Sequence, residues 1–317
     1  ALSLYCTPFN ALIPELGRTQ ELRVNISTYI SVTYFIGTAV AYLVPTIAGL
    51  IAGAVGIAHA YRITIAILAA IAIACMLVPA FTIDEDTYAV TEPSTTPMGA
   101  SVAKTFSNRD FQVFEISDVL YWVAITMFQT GMPFYVTSLM GLDGSMNFVL
   151  FAGMTVISLV FYAPVNILAK KMGKKKLVAF AFFFFCIAFA ITTVCGKFGI
   201  PALVWGGAVA VIAAVPMAVL GILPQAVLAD IAESDAVKTG ENREGMFYAA
   251  RTFSMTLGQS LAMILFSSLA TIGGGLGYRM TALVATVFCL LGGLVFTRYD
   301  EGRILDAIAA GTSASKE

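Results

Sequence analysis

The stretch Lys170-Lys-Met-Gly-Lys-Lys-Lys-Leu-Val-Ala-Phe-Ala-Phe-Phe-Phe-Phe-Cys-Ile-Ala-Phe-Ala-Ile-Thr-Thr-Val-Cys195 sets the class of the fold. From Leu177 to Cys195 it carries no charge, and a helix needs about 20 apolar residues to cross a bilayer. Five lysines stand directly before that run. Lysine collects on the cytoplasmic side of membrane spans, so one stretch gives both a span and its direction. The apolar residues come in a continuous block, whereas a transmembrane strand would alternate apolar with polar.

Similar runs extend in both directions. Hydropathy and punctuation predict full spans over 24–51, 63–83, 111–139, 147–170, 177–195, 201–228, 245–271 and 280–297, with a partial span over 1–14. The whole chain has 317 residues, 59% hydrophobic and 12% charged, with mean hydropathy +0.87. Soluble domains carry roughly 25% charged residues. So few charges cannot build a water-facing surface, which excludes a soluble globular enzyme, and the apolar content excludes disorder. A net charge of −1 gives no nucleic-acid partner. His59 is the single histidine, and the five cysteines (Cys6, Cys75, Cys186, Cys195, Cys289) are odd in number and lie in apolar runs. They read as buried thiols rather than a disulfide framework, and no metal centre or cofactor is expected. No Ser/His/Asp set, HExxH or ligand-spaced Cys/His cluster is present, so no enzyme is expected. A cleavable signal with a basic start is also missing.

Lys and Arg fix the topology. Alternate connections hold 2, 2, 5 and 2 of them, with 3 more on the C-terminal tail, and the opposite connections hold 1, 0, 1 and 1. The rich side is cytoplasmic. Only residues 84–110 form a connection long enough to separate two bundles. The expected organisation is therefore 1–83 as the remainder of an N-terminal helical bundle, 84–110 as a cytoplasmic linker, 111–300 as a C-terminal six-helix bundle, and 301–317 as a polar cytoplasmic tail. Six spans after a long linker suggest a transporter made of repeated halves. The matching half would also need six spans. The chain opens inside an apolar stretch without a Met, so about three and a half helices are expected upstream; the alternative is a nine-span protein.

Polar residues inside spans are costly and often functional. Glu115 and Asp118, three apart, share one helix face. Asp118 lies about 10 Å into its helix at about 1.5 Å per residue. Arg251 falls at similar depth from the same side, so the two are expected to pair. The pair reads either as a gate or coupling device, or as a structural pair near the headgroups with Tyr121 and Trp122 as interfacial anchors. Gln129, Thr130, Asn166, Gln225, Thr252, Thr256 and Gln259 offer uncharged hydrogen bonds. Singly such groups join helices, and as a set they suit a neutral polar ligand. Pro45, Pro133, Pro164, Pro216 and Pro224 break the backbone ladder, giving hinges, exposed carbonyls or passive kinks. The run from Phe182 to Phe185 reads as lipid-facing bulk. Residues 273–275 read as a flexible turn, without the Lys or preceding strand of a phosphate loop.

One segment is distinctive: Leu228-Ala-Asp-Ile-Ala-Glu-Ser-Asp-Ala-Val-Lys-Thr-Gly-Glu-Asn-Arg-Glu-Gly-Met-Phe-Tyr248. It resembles the cytoplasmic loop before the eleventh helix of the glycoside–pentoside–hexuronide:cation symporters, the melibiose-permease-like branch of the major facilitator superfamily. Pro8-Phe-Asn-Ala-Leu-Ile-Pro-Glu15, followed by Glu21-Leu-Arg-Val-Asn25, resembles the end of that family's fourth helix and the loop after it. Leu168-Ala-Lys-Lys-Met-Gly-Lys-Lys-Lys176 is similar to its basic loop after the eighth helix. The resemblance covers the chain from the fourth helix to the twelfth.

That resemblance implies an all-α membrane protein with the major facilitator superfamily fold, two helical bundles, the N-terminal one incomplete. It implies a secondary active transporter performing cation-coupled symport of a sugar or similar small solute by alternating access, with Na+ or H+ as the coupling ion. It further implies a monomer in the cell (inner) membrane with its C-terminus cytoplasmic, whose partners are a small-molecule solute and the lipid bilayer. Two other readings stay open: a transporter of a lipid-like or other non-sugar solute, and a non-transporting sensor on the same scaffold.

Carried over by position, the resemblance assigns substrate-binding roles to Cys6, Asn10, Thr28, Arg251, Thr252 and Thr256, and cation-binding roles to Ser3 and Cys6; Gln225, from the uncharged polar set, is also expected to bind substrate. Cys6 stands where the family has an aspartate serving cation and sugar, Asn10 where it has a Trp, and Thr28 where it has a sugar-site arginine. A thiol is a soft ligand and sodium prefers hard oxygens, so these positions do not by themselves imply sodium or galactosides. Asp118, Arg251, Asp230, Glu233, Asp235 and Arg243 are expected as gate or charge-pair residues, with the loops around residues 170–176 and 230–243 bracing the inner gate between bundles.

Overall fold

The computed structural model describes residues 20–82, 98–241, 243–273 and 275–314, which form helices and, among themselves, no strand. The chain divides into two compact units, Ala1–Thr95 and Thr96–Glu317. The first holds α1 (Gln20–Val55) and α2 (Ile57–Thr82), which pack on each other. Pro45 lies inside α1 and Pro79 inside α2. Ala48, Ala60 and Thr64 are buried, while Leu50 and Phe81 are each 83% exposed. Such outward apolar side chains suit hydrocarbon rather than water, and each helix satisfies its own backbone. Cys75 in α2 is exposed, not buried as expected. A thiol is only weakly polar, so an apolar setting accepts it on either side of a helix.

The second unit contains α3 (Met98–Ser107), α4 (Arg109–Phe134), α5 (Met146–Met172), α6 (Lys174–Val194), α7 (Ala202–Thr239), α8 (Glu244–Ala270), α9 (Leu276–Phe296) and α10 (Glu301–Ala314). A π-helical turn, Tyr135–Leu139, continues α4 directly after Pro133. Among the described residues seven helices are long and apolar enough to cross a membrane: α1, α2, α4, α6, α7, α8 and α9. In α5 the described apolar stretch is Met146–Tyr162.

Helix α4 is the centre of this unit. It packs on α8 and α9, α9 packs on α6, α6 on α7, and α7 on α5 and α10. At the α4–α9 crossing the Ser117 hydroxyl donates to the Gly292 carbonyl at 2.9 Å. A Cβ on Gly292 would lie 3.0 Å from Phe182 and 3.3 Å from the Ser117 carbonyl oxygen, so the absent side chain sets this close approach. Helices in lipid gain little from burying apolar surface against one another, and small residues and tight packing hold them together instead. Phe128 meets Phe189 at 4.9 Å between ring centres, and Phe185 meets Phe189 at 4.4 Å. Phe182 and Phe185 are therefore core residues, contrary to the lipid-facing expectation, while Phe183 does face outward. Period 3.6 divides the run between two faces.

Three boundaries differ from expectation. Helix α7 runs to Thr239 rather than ending near 228, so most of the segment read as a loop is helical. Val227, Leu228, Ile231, Ala232 and Asp235 are buried along it, an amphipathic pattern that extends the helix after its hydropathy has fallen. The connection 84–110 contains α3, whose Ser101 and Thr105, four apart, are buried. The expected polar tail is largely α10, whose Ile304 is fully buried.

Candidate functional site

Within the second unit the described ion pairs gather in two places. The first is inside the bundle. Arg251 of α8 donates from Nε to Asp118 Oδ2 at 2.8 Å and from Nη2 to Asp118 Oδ1 at 3.1 Å. Trp122, one turn along α4, donates from Nε1 to the same Oδ2 at 3.2 Å. The guanidinium carbon lies 5.6 Å from the Phe114 ring centre. Both members of the pair are buried. A carboxylate and a guanidinium placed fork to fork satisfy most of each other's hydrogen bonds, which lowers the penalty of removing both from water. Tyr121 is buried and packs edge-on against Trp122 and Phe182, so it is a core residue and not an interfacial anchor.

Glu115 lies one turn before Asp118. It is 6% exposed, and neither carboxyl oxygen has a hydrogen-bond partner. Ser254 and Arg251 of α8 and Asp118 of its own helix are the groups that act on it. Beside the pair is a small cavity of about 10 Å³ bordered by Ser117, Asp118, Leu220 and Pro224, among others. Pro224 has no N–H to give the Leu220 carbonyl four residues back. The space holds about one water molecule.

The second cluster is at the end where α4, α6 and α8 begin and α5, α7 and α9 finish. Asn108 caps α4: its Oδ1 accepts from the backbone N–H of Asp110 and of Phe111, and its Nδ2 donates to Asp235 Oδ1 at 3.0 Å. Arg243 donates to the other oxygen of Asp235 at 2.7 Å, and its Nε is 3.4 Å from Glu241. Lys104 of α3 reaches Glu241 at 2.8 Å. This hydrogen bond holds the exposed Glu241 carboxyl below its ordinary range. On the other side, Lys174 pairs with Asp230 at 2.6 Å and Arg303 pairs with Asp110. Glu301 accepts the backbone N–H of Lys174 on Oε1 at 2.7 Å and of Lys175 on Oε2 at 2.9 Å, capping α6. Burial, with Asp230, Glu301 and Asp110 nearby, pushes the Tyr299 hydroxyl well above the usual phenol range.

The structure thus joins Asp118 with Arg251 and Asp235 with Arg243. Asp230 pairs with Lys174, and the observed partners of Asp230, Asp235 and Arg243 all lie in this same unit. The physical reason is helix ends: Asp230 and Asp235 lie near the end of α7, where the starts of α6 and α8 bring Lys174 and Arg243. Glu233 is exposed. Thr252 and Thr256 are half-buried, and each donates its hydroxyl to the carbonyl four residues earlier, Tyr248 and Thr252. Gln225 is exposed on α7. Ser3, Cys6 and Asn10 lie outside the described residues, as does the side chain of Thr28, a residue of α1. Sequence reading did not single out Asn108 or Glu301. Asn108 had a signal, since an Asn just before an apolar helical run with an acidic first turn marks an N-cap. Glu301 had none, because its helix is far along the chain.

A family model described as MFS/sugar transport protein matches residues 1–300. Comparison with curated proteins finds no match.

Proposed function

The chain belongs to the MFS/sugar transport protein family, and from that premise we propose that it is a secondary active transporter moving a sugar or similar small solute by cation-coupled symport. It is a multi-pass helical membrane protein of the transporter class. The observation that carries the finer reading is the buried Asp118–Arg251 pair. Charged residues inside apolar helices are retained at a cost, and in membrane bundles they mark pathways and coupling sites.

In this reading the protein works by alternating access, exposing its solute to each side of the membrane in turn. Gln225, Thr252 and Thr256 offer hydrogen bonds to a neutral, hydroxylated solute, with Arg251 held beside them by Asp118; by resemblance Cys6, Asn10 and Thr28 are also solute positions. Ser3 and Cys6 stand at the family's cation position. The coupling ion is Na+ or H+. The charged end carrying Lys174, Asp230, Asp235 and Arg243 faces the cytoplasm of the inner membrane, with the C-terminus on that side, and the protein works as a monomer.

Counterflow in proteoliposomes tests this. Vesicles preloaded with one sugar of a panel of hexoses, pentoses, glycosides and hexuronides are diluted into the radiolabelled form, with a sodium gradient, with a proton gradient and with neither. Exchange of at least one sugar, accelerated by one of the gradients, is expected. No exchange with any sugar would remove the sugar reading, and exchange indifferent to both gradients would remove coupling.

A further inference from the structure

We propose that Glu115 is a proton-binding site, a carboxyl that takes up and releases H+ inside the bundle, with Asp118 and Arg251 as the pair its charge state acts upon. As a site this stands on geometry alone; its use in coupled transport rests on the reading above and selects the proton as coupling ion.

Three observations lead here. Glu115 is 6% exposed and both its oxygens lack a partner. The one buried cation of the cluster is already engaged, since Arg251 gives Nε and Nη2 to the two oxygens of Asp118. The other groups that act on Glu115 are the Ser254 hydroxyl from α8 and Asp118 from its own helix. Among the described residues, α3, α7 and α9, the remaining helices packed on α4, bring no charged group to it.

The charge count decides which form this setting accepts. With Glu115 ionised, the three groups sum to a buried −1. With Glu115 as the neutral acid, they sum to zero and Asp118 keeps Arg251 to itself. A buried carboxylate with no charged donor to itself and only the Ser254 hydroxyl beside it is strongly disfavoured, whereas a carboxylic acid needs only an acceptor for its O–H. Release of the proton to solvent leaves a second carboxylate one turn from the first, both facing one guanidinium. Arg251 must then divide its hydrogen bonds, and the fork that fixes α4 to α8 loosens. Proton binding and the α4–α8 contact are in this way two readings of one equilibrium.

The test uses the whole chain in lipid nanodiscs and needs no solute. Infrared spectra are compared in H2O and D2O for the wild type, Glu115→Gln and Asp118→Asn. The wild type at neutral pH should show a protonated-carboxyl C=O stretch that shifts in D2O, and Glu115→Gln should abolish it. The glutamine imitates the neutral acid, so its melting temperature should stay at the wild-type value. In Asp118→Asn the freed Arg251 should draw Glu115 into ionising, and the band should vanish there as well. Identical bands in wild type and Glu115→Gln would overturn the proposal. If Glu115→Gln does not fold, the comparison of wild type with Asp118→Asn decides, and an unchanged band there overturns it. Because no transport is measured, a failure here leaves the sugar reading standing, and a failure of counterflow leaves this site standing.

Discussion

Arg251 meets Asp118 fork to fork across the α4–α8 contact, with one oxygen for Nε at 2.8 Å and the other for Nη2 at 3.1 Å. Two parallel bonds fix direction as well as distance, so they set the rotation of one helix against the other.

Removing one partner of such a pair strands the other. Arg251→Met should destabilise by about 3–5 kcal/mol, the usual cost of leaving a buried charge uncompensated. Asp118→Asn should cost less, because Glu115 stands one turn away to replace it. The double change Asp118→Leu with Arg251→Met should recover much of the loss, since an apolar pair of similar volume carries no desolvation penalty. Thermal unfolding of the four proteins in one detergent checks the order. Equal losses for the two single variants would contradict it.

Gly196 has φ +74°, and a Cβ on it would sit 2.0 Å from the Leu139 carbonyl oxygen. Backbone strain and a backbone clash act together there, and neither can be relieved by a side-chain rotation. Gly196→Ala should cost more than about 1 kcal/mol. Gly199, at φ +65° with nothing within 4 Å of its missing Cβ, provides the comparison that isolates strain. The measurement is the difference in melting temperature between the two alanine variants, with Gly196→Ala the lower.

The Lys104–Glu241 contact should respond to acid and salt. Its hydrogen bond depresses the Glu241 carboxyl below the ordinary value. A carboxylate whose folded value is lowered contributes above its unfolded pKa, and that contribution fades as pH falls through the folded one. Both groups are exposed, so the pair is weak and screened by salt. Lys104→Ala should leave the melting temperature unchanged at neutral pH. A double-mutant cycle with Glu241→Gln at low and at high salt should find a small coupling only at low salt. A large, salt-independent coupling would show the pair to be structural.

The spans were readable because lipid imposes length and hydropathy on them. Asp118 and Arg251 were readable as a pair because equal depth from one side of the membrane brings two spans' charges to one level. The helix ends were less so. Hydropathy falls at Ala229-Asp230, yet α7 continues because Ile231, Ala232 and Asp235 keep one face buried. Phe182 and Phe185 were misplaced because an apolar residue looks the same in sequence whether it meets lipid or a neighbouring helix. The isolation of Glu115 was not readable at all, since it follows from Asp118 having taken both forks of Arg251, a fact of rotamers rather than of spacing. The pairings of the charged end hid for a related reason: Lys174 and Asp230 are 56 positions apart, Asp110 and Arg303 193.

The cap on α6 bears on how the protein is made. Glu301, which takes the first two amides of α6, follows Lys174 by 127 positions. A ribosome feeding this chain into a membrane delivers α6, and then three more spans, before it delivers the residue that finishes the start of α6. Until then those amides turn to water. Assembly therefore includes a late closing stitch, in which α10 ties down a beginning laid long before.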